Sequence, residues 1–213
     1  MLPSEIPLFP LPNVVLFPAA FLPLHIFEQR YRAMVADALA GERLIGMILL
    51  RPGWESDDEG RQAVYPIGCA GFITHAEPLE DGRYNIVLRG TEKFRILSEH
   101  SSAGSDRPYR VAQVETIPEA TPATDRDAIR DQRLRLEKLI ARRLQRSTDD
   151  NTIPPDMRDE DLVSALAQHL ALDPIEKQAL LERDSLLARC RSLVELLEMQ
   201  MLVTHVAVTK IKH

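Results

Sequence analysis

His25, His75, His100, His169, His205 and His213 are the side chains best suited to bind zinc or to carry protons near neutral pH. Zinc needs such ligands clustered, and these six are scattered without an HExxH pair. The only two cysteines, Cys69 and Cys190, have no neighbour at metal-ligand or redox-motif spacing. A phosphate loop needs backbone amides around the phosphates, followed by Lys and a hydroxyl. Gly41 and Gly46 have the glycine spacing, but Met47 and Ile48 stand where the Lys and hydroxyl belong. The nucleophile elbow GxSxG is absent, and Ser101-Ser102-Ala103-Gly104 falls in an expected strand-connecting loop. Asp57-Asp58 and Asp149-Asp150 lie in polar stretches and read as solvated charges rather than tuned acid–base pairs. The residues therefore predict no catalytic centre, no metal and no cofactor.

Composition narrows the class further. The chain has 213 residues, 26 Lys plus Arg against 32 Asp plus Glu, and a formal charge of −6. With 45% hydrophobic and 27% charged residues it has enough apolar chain to bury a core, which excludes a largely disordered chain. An acidic balance argues against a dedicated nucleic-acid binder, whose footprint is basic. Two isolated thiols fit a reducing cytoplasm better than a disulfide scaffold. Residues 1–27 are apolar but carry no Lys or Arg and are broken by six prolines, so they read as the folded start of a soluble domain, with no membrane span.

The chain changes period near residue 118. Residues 6–9, 14–17 and 22–26 read as short strands, their prolines suited to edges and bends. Residues 44–50 read as a strand buried on both faces. Asp81-Gly82 marks a tight turn between a strand at 71–77 and the alternating Tyr84, Ile86 and Leu88. Gly90 allows a bend before Phe94 and Ile96, and a strand follows at 109–117. Strands this short and numerous predict a closed or nearly closed barrel. One helix interrupts them, with Phe27, Tyr31, Met34, Val35 and Ala38 on a single face and Gly41 at its end.

Beyond residue 118 the pattern turns helical. Residues 125–146 read as a long polar helix with Ile129, Leu136, Ile140 and Leu144 on a sparse apolar stripe. Its eight cations and four acids surround the helix, which fits local ion pairs better than a stripe for an anionic partner. Leu162, Val163, Leu166 and Leu170 mark a second helix. Asp173-Pro174-Ile175-Glu176 is a capped helix start. Leu187, Cys190, Val194, Leu197 and Met201 form a heptad seam suited to packing in a small bundle. The acidic stretch 54–62 reads as a solvated loop, with Trp54 as its packed anchor.

What remains is a binding surface. Phe9, Leu11, Phe17, Phe21 and Leu22 sit on short, proline-broken strands. Any of them left outside the core would offer an apolar groove and strand edges to an extended peptide.

The ordered motifs Ile6-Pro7-Leu8-Phe9-Pro10-Leu11, Val14 to Pro18, Pro23-Leu24-His25-Ile26-Phe27-Glu28 and Arg30-Tyr31 resemble the opening of the Lon protease N-terminal domain. Gly68, Gly71 and Gly90-Thr91-Glu92-Lys93-Phe94-Arg95-Ile96 look like the same family, and the helical tail extends the likeness over nearly the whole chain. Gln29 departs from the pattern, standing where related stand-alone domains often carry proline. The resemblance implies an α+β fold: a PUA-like β-barrel domain at 1–118 with one inserted helix, then an all-helical subdomain at 119–213. It also implies a substrate-binding module, stand-alone and without ATPase or peptidase modules. The expected function is non-enzymatic binding of unfolded or partly folded proteins or peptides, with a protease as a further partner. The contact candidates are Phe9, Leu11, Phe17, Phe21, Glu28, Arg30 and Tyr31. RNA binding, known among PUA-like barrels, is the alternative; residues 1–118 oppose it with 11 basic against 15 acidic side chains.

Overall fold

The computed structural model describes residues 2–53, 62–99, 107–119, 123–143, 153–154 and 156–211, with side chains of the last helix as far as Val203. Trp54, the Ser101–Gly104 stretch, Leu144 and both adjacent carboxylate pairs lie outside the described residues. Contacts group the described chain into two compact units, one of residues 1–118 with 168–182 and one of 119–167 with 183–213.

In the first unit six strands form one sheet: β1 (Glu5–Leu11), β2 (Phe21–Ile26), β3 (Leu44–Leu49), β4 (Ile67–Pro78), β5 (Tyr84–Glu99) and β6 (Arg110–Ile117). The order is β2-β5-β4-β3-β1-β6, and β6 also pairs with β5, so five strands close into a barrel. β1 and β3 run parallel, and the other pairs are antiparallel. Helix α1 (Gln29–Ala40) lies between β2 and β3 in the chain and buries Tyr31, Met34, Val35 and Ala38. Phe27, expected on that helical face, precedes the helix and is 63% exposed.

Ile6, Leu8, Ile48, Ala70, Phe94, Ala112 and Val114 converge in the barrel interior. The Phe94 ring fits because Gly46 and Gly68 stand beside it: a Cβ on either would lie 3.0 Å or 2.7 Å from Phe94 Cζ.

β5 keeps β4 along one edge but changes neighbour on the other. Its first half pairs with β2 (Tyr84 to Arg89), its second with β6 (Lys93 to Glu99). Gly90 sits at the changeover. Its N–H donates to Ala20 O at 2.8 Å, and its carbonyl accepts from Ala19 N at 2.9 Å. Two residues thus oppose one, with Ala19 at φ 63°, the arrangement of a β-bulge that turns β2 away.

Residues 14–17 form no strand. Val15, Leu16 and Phe17 are buried, and their backbone is met by one side chain instead of a ladder. Gln168 Oε1 accepts from Phe17 N at 3.1 Å and Gln168 Nε2 donates to Val15 O at 3.0 Å. One primary amide supplies the acceptor and donor that a neighbouring strand would have supplied. Helix α4 (Pro174–Leu181) follows Gln168 in the chain and begins as expected, with Asp173 N donating to Glu176 Oε2 at 2.8 Å. Gln178 Nε2 donates to Ile67 O at 2.9 Å, which ties this helix to the start of β4.

The second unit holds α2 (Arg126–Arg143), α3 (Asp159–His169) except its last two residues, which group with the barrel, and α5 (Leu186–Ile211). Ile129, Leu136 and Leu139 are the buried residues of α2. On α5 the buried line is Leu186, Cys190, Leu193, Val194 and Leu197; Leu187 and Met201, expected on the seam, are half-buried. Arg135 of α2 holds both carboxylate oxygens of Glu198 at 2.9 and 3.0 Å, and Arg133 pairs with Glu137 and Asp159. Only Arg133–Glu137 is a local pair of the kind the charge pattern predicts; the other two join different helices. No helix of the described residues is long and apolar enough to cross a membrane.

Candidate functional site

Alternation places the side chains of β2 on two faces. Leu22, Leu24 and Ile26 turn toward the core, while Phe21, Pro23 and His25 are exposed. Register then extends the outer face across three more strands. Phe21 stands opposite Arg89 on β5, Arg89 opposite Phe72 on β4, and Phe72 opposite Leu44 on β3. Directly paired residues share a face, so Phe21, Arg89, Phe72 and Leu44 form one transverse row. Phe21 is 52% exposed and Phe72 38%. Arg43, at φ 59°, lies 5.9 Å from the Phe72 ring centroid, and its Nε donates to Ile73 O at 3.0 Å. The Arg89 guanidinium is exposed and has no hydrogen-bond or ion-pair partner among the described residues.

A second row crosses the same face at His25, Asn85 and Glu77. His25 Nδ1 lies 2.8 Å from Asn85 Oδ1, and Asn85 Nδ2 donates to Glu77 Oε2 at 2.9 Å. Because the amide oxygen can only accept, His25 Nδ1 carries the proton, leaving Nε2 to accept from Arg83 at 3.3 Å. Arg83 also donates to Asp81 at 2.5 Å, and that bond holds the Asp81 carboxyl down at about 2. Phe27 stacks on the His25 ring with centroids 6.4 Å apart, which brings a third exposed aromatic to this face.

The residues expected to contact a partner separate into two groups. Phe9 and Tyr31 pack together with ring centroids 4.3 Å apart and are 5% and 4% exposed. Burial pushes the Tyr31 phenol up. Arg30 covers the Tyr31 ring at 4.5 Å and pairs with Glu28 at 2.9 Å, so four of the seven meet at the start of α1. Glu28 occupies the cap position of that helix without a side-chain cap bond, its carboxylate engaged by Arg30. Phe17 is fully buried and Leu11 half-buried. Phe9, Phe17 and Tyr31 are core side chains, whereas Phe21 lies open. Phe72, Arg89 and Phe27, outside the expected set, share the open face with Phe21. Alternation along β4 and β5 would have turned Phe72 and Arg89 outward, but only register shows them beside Phe21.

A cavity of about 1200 Å³ in the helical unit is lined by Arg126, Arg130, Arg133, Glu137, Asp159 and others, with Arg133 neutralised by Glu137 and Asp159. Cys190 is buried and its thiol is pushed up to about 12, which makes it unreactive near neutral pH. No group of three or more metal-ligating side chains occurs among the described residues.

Comparison with known proteins adds the lineage of this surface. The profile of the ATP-dependent protease La (LON) substrate-binding domain matches residues 5–199. Lon protease 2 of Syntrophobacter fumaroxidans is 30% identical over 192 residues, covering 85% of this chain and 22% of that protein. Lon protease 2 of Myxococcus xanthus is 26% identical over 201 residues, covering 92% and 24%. The chain thus spans about a quarter of the length of these relatives. Among solved structures, the Lon N-terminal domain protein from Xanthomonas campestris matches with a TM-score of 0.61 at 23% identity, over 90% of this chain and 98% of the other. The N-terminal domain of the Mycobacterium avium complex Lon protease matches with a TM-score of 0.66 at 19% identity, over 91% and 98%. A barrel that spends aromatic side chains on its outer face, in a chain matched by that profile along nearly its whole length, belongs to the Lon protease substrate-binding domain family.

Proposed function

We propose that this protein is a non-enzymatic recognition module that binds unfolded or partly folded polypeptides in the cytoplasm, in the service of a protease. Membership of a substrate-binding family supports the recognition role. The observation that carries the surface is the exposed set Phe21, Phe72 and Phe27 on one sheet face. Aromatic side chains left in water at neighbouring positions are characteristic of a contact surface, because each gains free energy when a partner covers it. Leu11, Glu28 and Arg30 remain as contact candidates beside this set. The barrel at 1–118 would carry the contact, and the helical subdomain at 119–213 would dock a partner. The acidic balance of the chain gives the RNA reading no support.

The test is binding to a reduced, carboxymethylated protein that cannot refold. Wild type should bind it. The double variant Phe21→Ser, Phe72→Ser should lose at least about tenfold in affinity, roughly 1.4 kcal/mol, with an unchanged unfolding midpoint. Unaltered binding by the double variant would remove this face from the proposal.

A further inference from the structure

We propose that the free edge of β2 accepts an extended polypeptide segment as an added strand, and that Arg89 selects an acidic side chain on that segment. This rests on the outer face being the polypeptide-binding surface and states how the polypeptide is held.

The hydrogen-bond phase of β2 is known from its first pair. Gly90 N donates to Ala20 O, so the bonded positions facing β5 continue at Leu22, Leu24 and Ile26, which pair with Leu88, Ile86 and Tyr84. Phe21, Pro23 and His25 therefore direct their backbone groups away from β5. The position of Pro23 agrees independently, since proline has no N–H and is tolerated in a strand only where no ladder bond is required of it. Among the described residues no strand pairs with this outer edge. It presents the Phe21 and His25 amides as donors and the Phe21, Pro23 and His25 carbonyls as acceptors. An extended segment can meet these groups with its own backbone, whatever its side chains, which suits a module that must accept many sequences.

Side-chain chemistry then sets a preference. Alternate residues of an added strand would flank Phe21, Pro23 and His25 on the outer face, where apolar groups gain by covering Phe21 and Phe27. The cations of this face differ in availability. Arg83 is held by Asp81, and Arg43 is held by the Ile73 carbonyl over Phe72. Arg89 alone of the three is uncommitted. Strands lie about 4.8 Å apart, so a residue added beside Phe21 sits about 10 Å from the Arg89 backbone. A guanidinium and a carboxylate side chain together span that distance. A segment whose every second residue, the one on the outer face, is by turns acidic and apolar is the complement; a basic one would set like charges against each other.

The probe is a blocked octapeptide with threonine at every second position and glutamate and phenylalanine by turns at the positions between, so that both fall on one face of the added strand; it is titrated into the full chain by fluorescence anisotropy. Methylating alternate backbone amides should abolish binding in one phase and spare it in the other, because only one edge of an added strand faces β2. Replacing glutamate by lysine should weaken binding at least about tenfold, and Arg89→Glu should reverse that preference. Equal binding of both methylated phases and the parent would overturn strand addition. An unchanged preference in Arg89→Glu would overturn the selectivity. Sedimentation showing a dimer that the peptide disperses would assign the edge to a second copy and overturn the proposal. The carboxymethylated protein is titrated in parallel: if it binds through Phe21 and Phe72 while no peptide effect is seen, strand addition fails and the wider reading stands; if neither binds, both fail.

Discussion

A Cβ on Gly90 would overlap the carbonyl oxygen of Phe17 and stand 2.8 Å from its carbonyl carbon and 3.2 Å from Pro18 Cα. The obstacles are backbone atoms, which cannot swing aside as a side chain can. This close approach is what lets β5 leave β2 and take up β6, and so it positions the row from Phe21 to Phe72. Gly90→Ala should therefore cost about 3 kcal/mol or more of stability, measured by urea unfolding. Gly41→Ala is the control: its Cβ would meet nothing nearer than 3.5 Å, and the change should stay within about 0.5 kcal/mol.

Gln168 is predicted to matter for folding and not for chemistry. Gln168→Ala leaves Phe17 N and Val15 O buried without their partner. Two orphaned backbone groups should cost about 3 kcal/mol. Amide hydrogen exchange would show the loss directly, as faster exchange at Phe17 than at the strand amides of β4.

Core and surface aromatics should separate cleanly in a substitution series. Phe9→Ala and Phe17→Ala remove buried rings and should each cost about 3–5 kcal/mol. Phe21→Ser and Phe72→Ser should each stay within about 0.5 kcal/mol while weakening polypeptide binding. Unfolding curves and binding isotherms on the same four variants check both halves.

Tyr109 donates its hydroxyl to Asp37 Oδ2 at 2.6 Å, joining the start of β6 to α1. Burial first, and the bond to Asp37 second, push its phenol up to about 12. The folded value exceeds the ordinary value near 10, so the folded state holds this proton more tightly than the unfolded chain. Its stabilising contribution is complete below pH 10 and is lost as the pH rises from 10 through 12. Tyr109→Phe should cost about 1 kcal/mol at neutral pH and should flatten the stability decline over that alkaline window. Urea midpoints across the range measure it.

Periodicity made much of this protein legible. The alternation at Tyr84, Ile86 and Leu88, the Asp81-Gly82 turn and the capped start at Asp173 are local signals, each decided within a few residues, and each appears in the structure as expected. The family motifs around Pro7–Pro10 and Gly90–Ile96 are likewise carried by contiguous residues. Residues 14–17 misled because an apolar run next to prolines has the composition of a strand, while its hydrogen-bond partner, Gln168, lies 151 positions from Phe17. Phe27 misled because a helical offset continues past the helix start without marking it.

By itself the sequence determined the class of this protein: acidic, lacking the spacings that metal, phosphate or acyl chemistry require, with short strands first and helices after. Only the tertiary structure decided which aromatics a partner can reach. Phe9 and Tyr31 were packed together in the core with their rings tilted by 45°, whereas Phe21 and Phe72 were set on either side of Arg89 in the open. The reason is that strand alternation chooses a face for each side chain, but register between distant strands chooses its neighbours, and closure of the barrel chooses which face meets water.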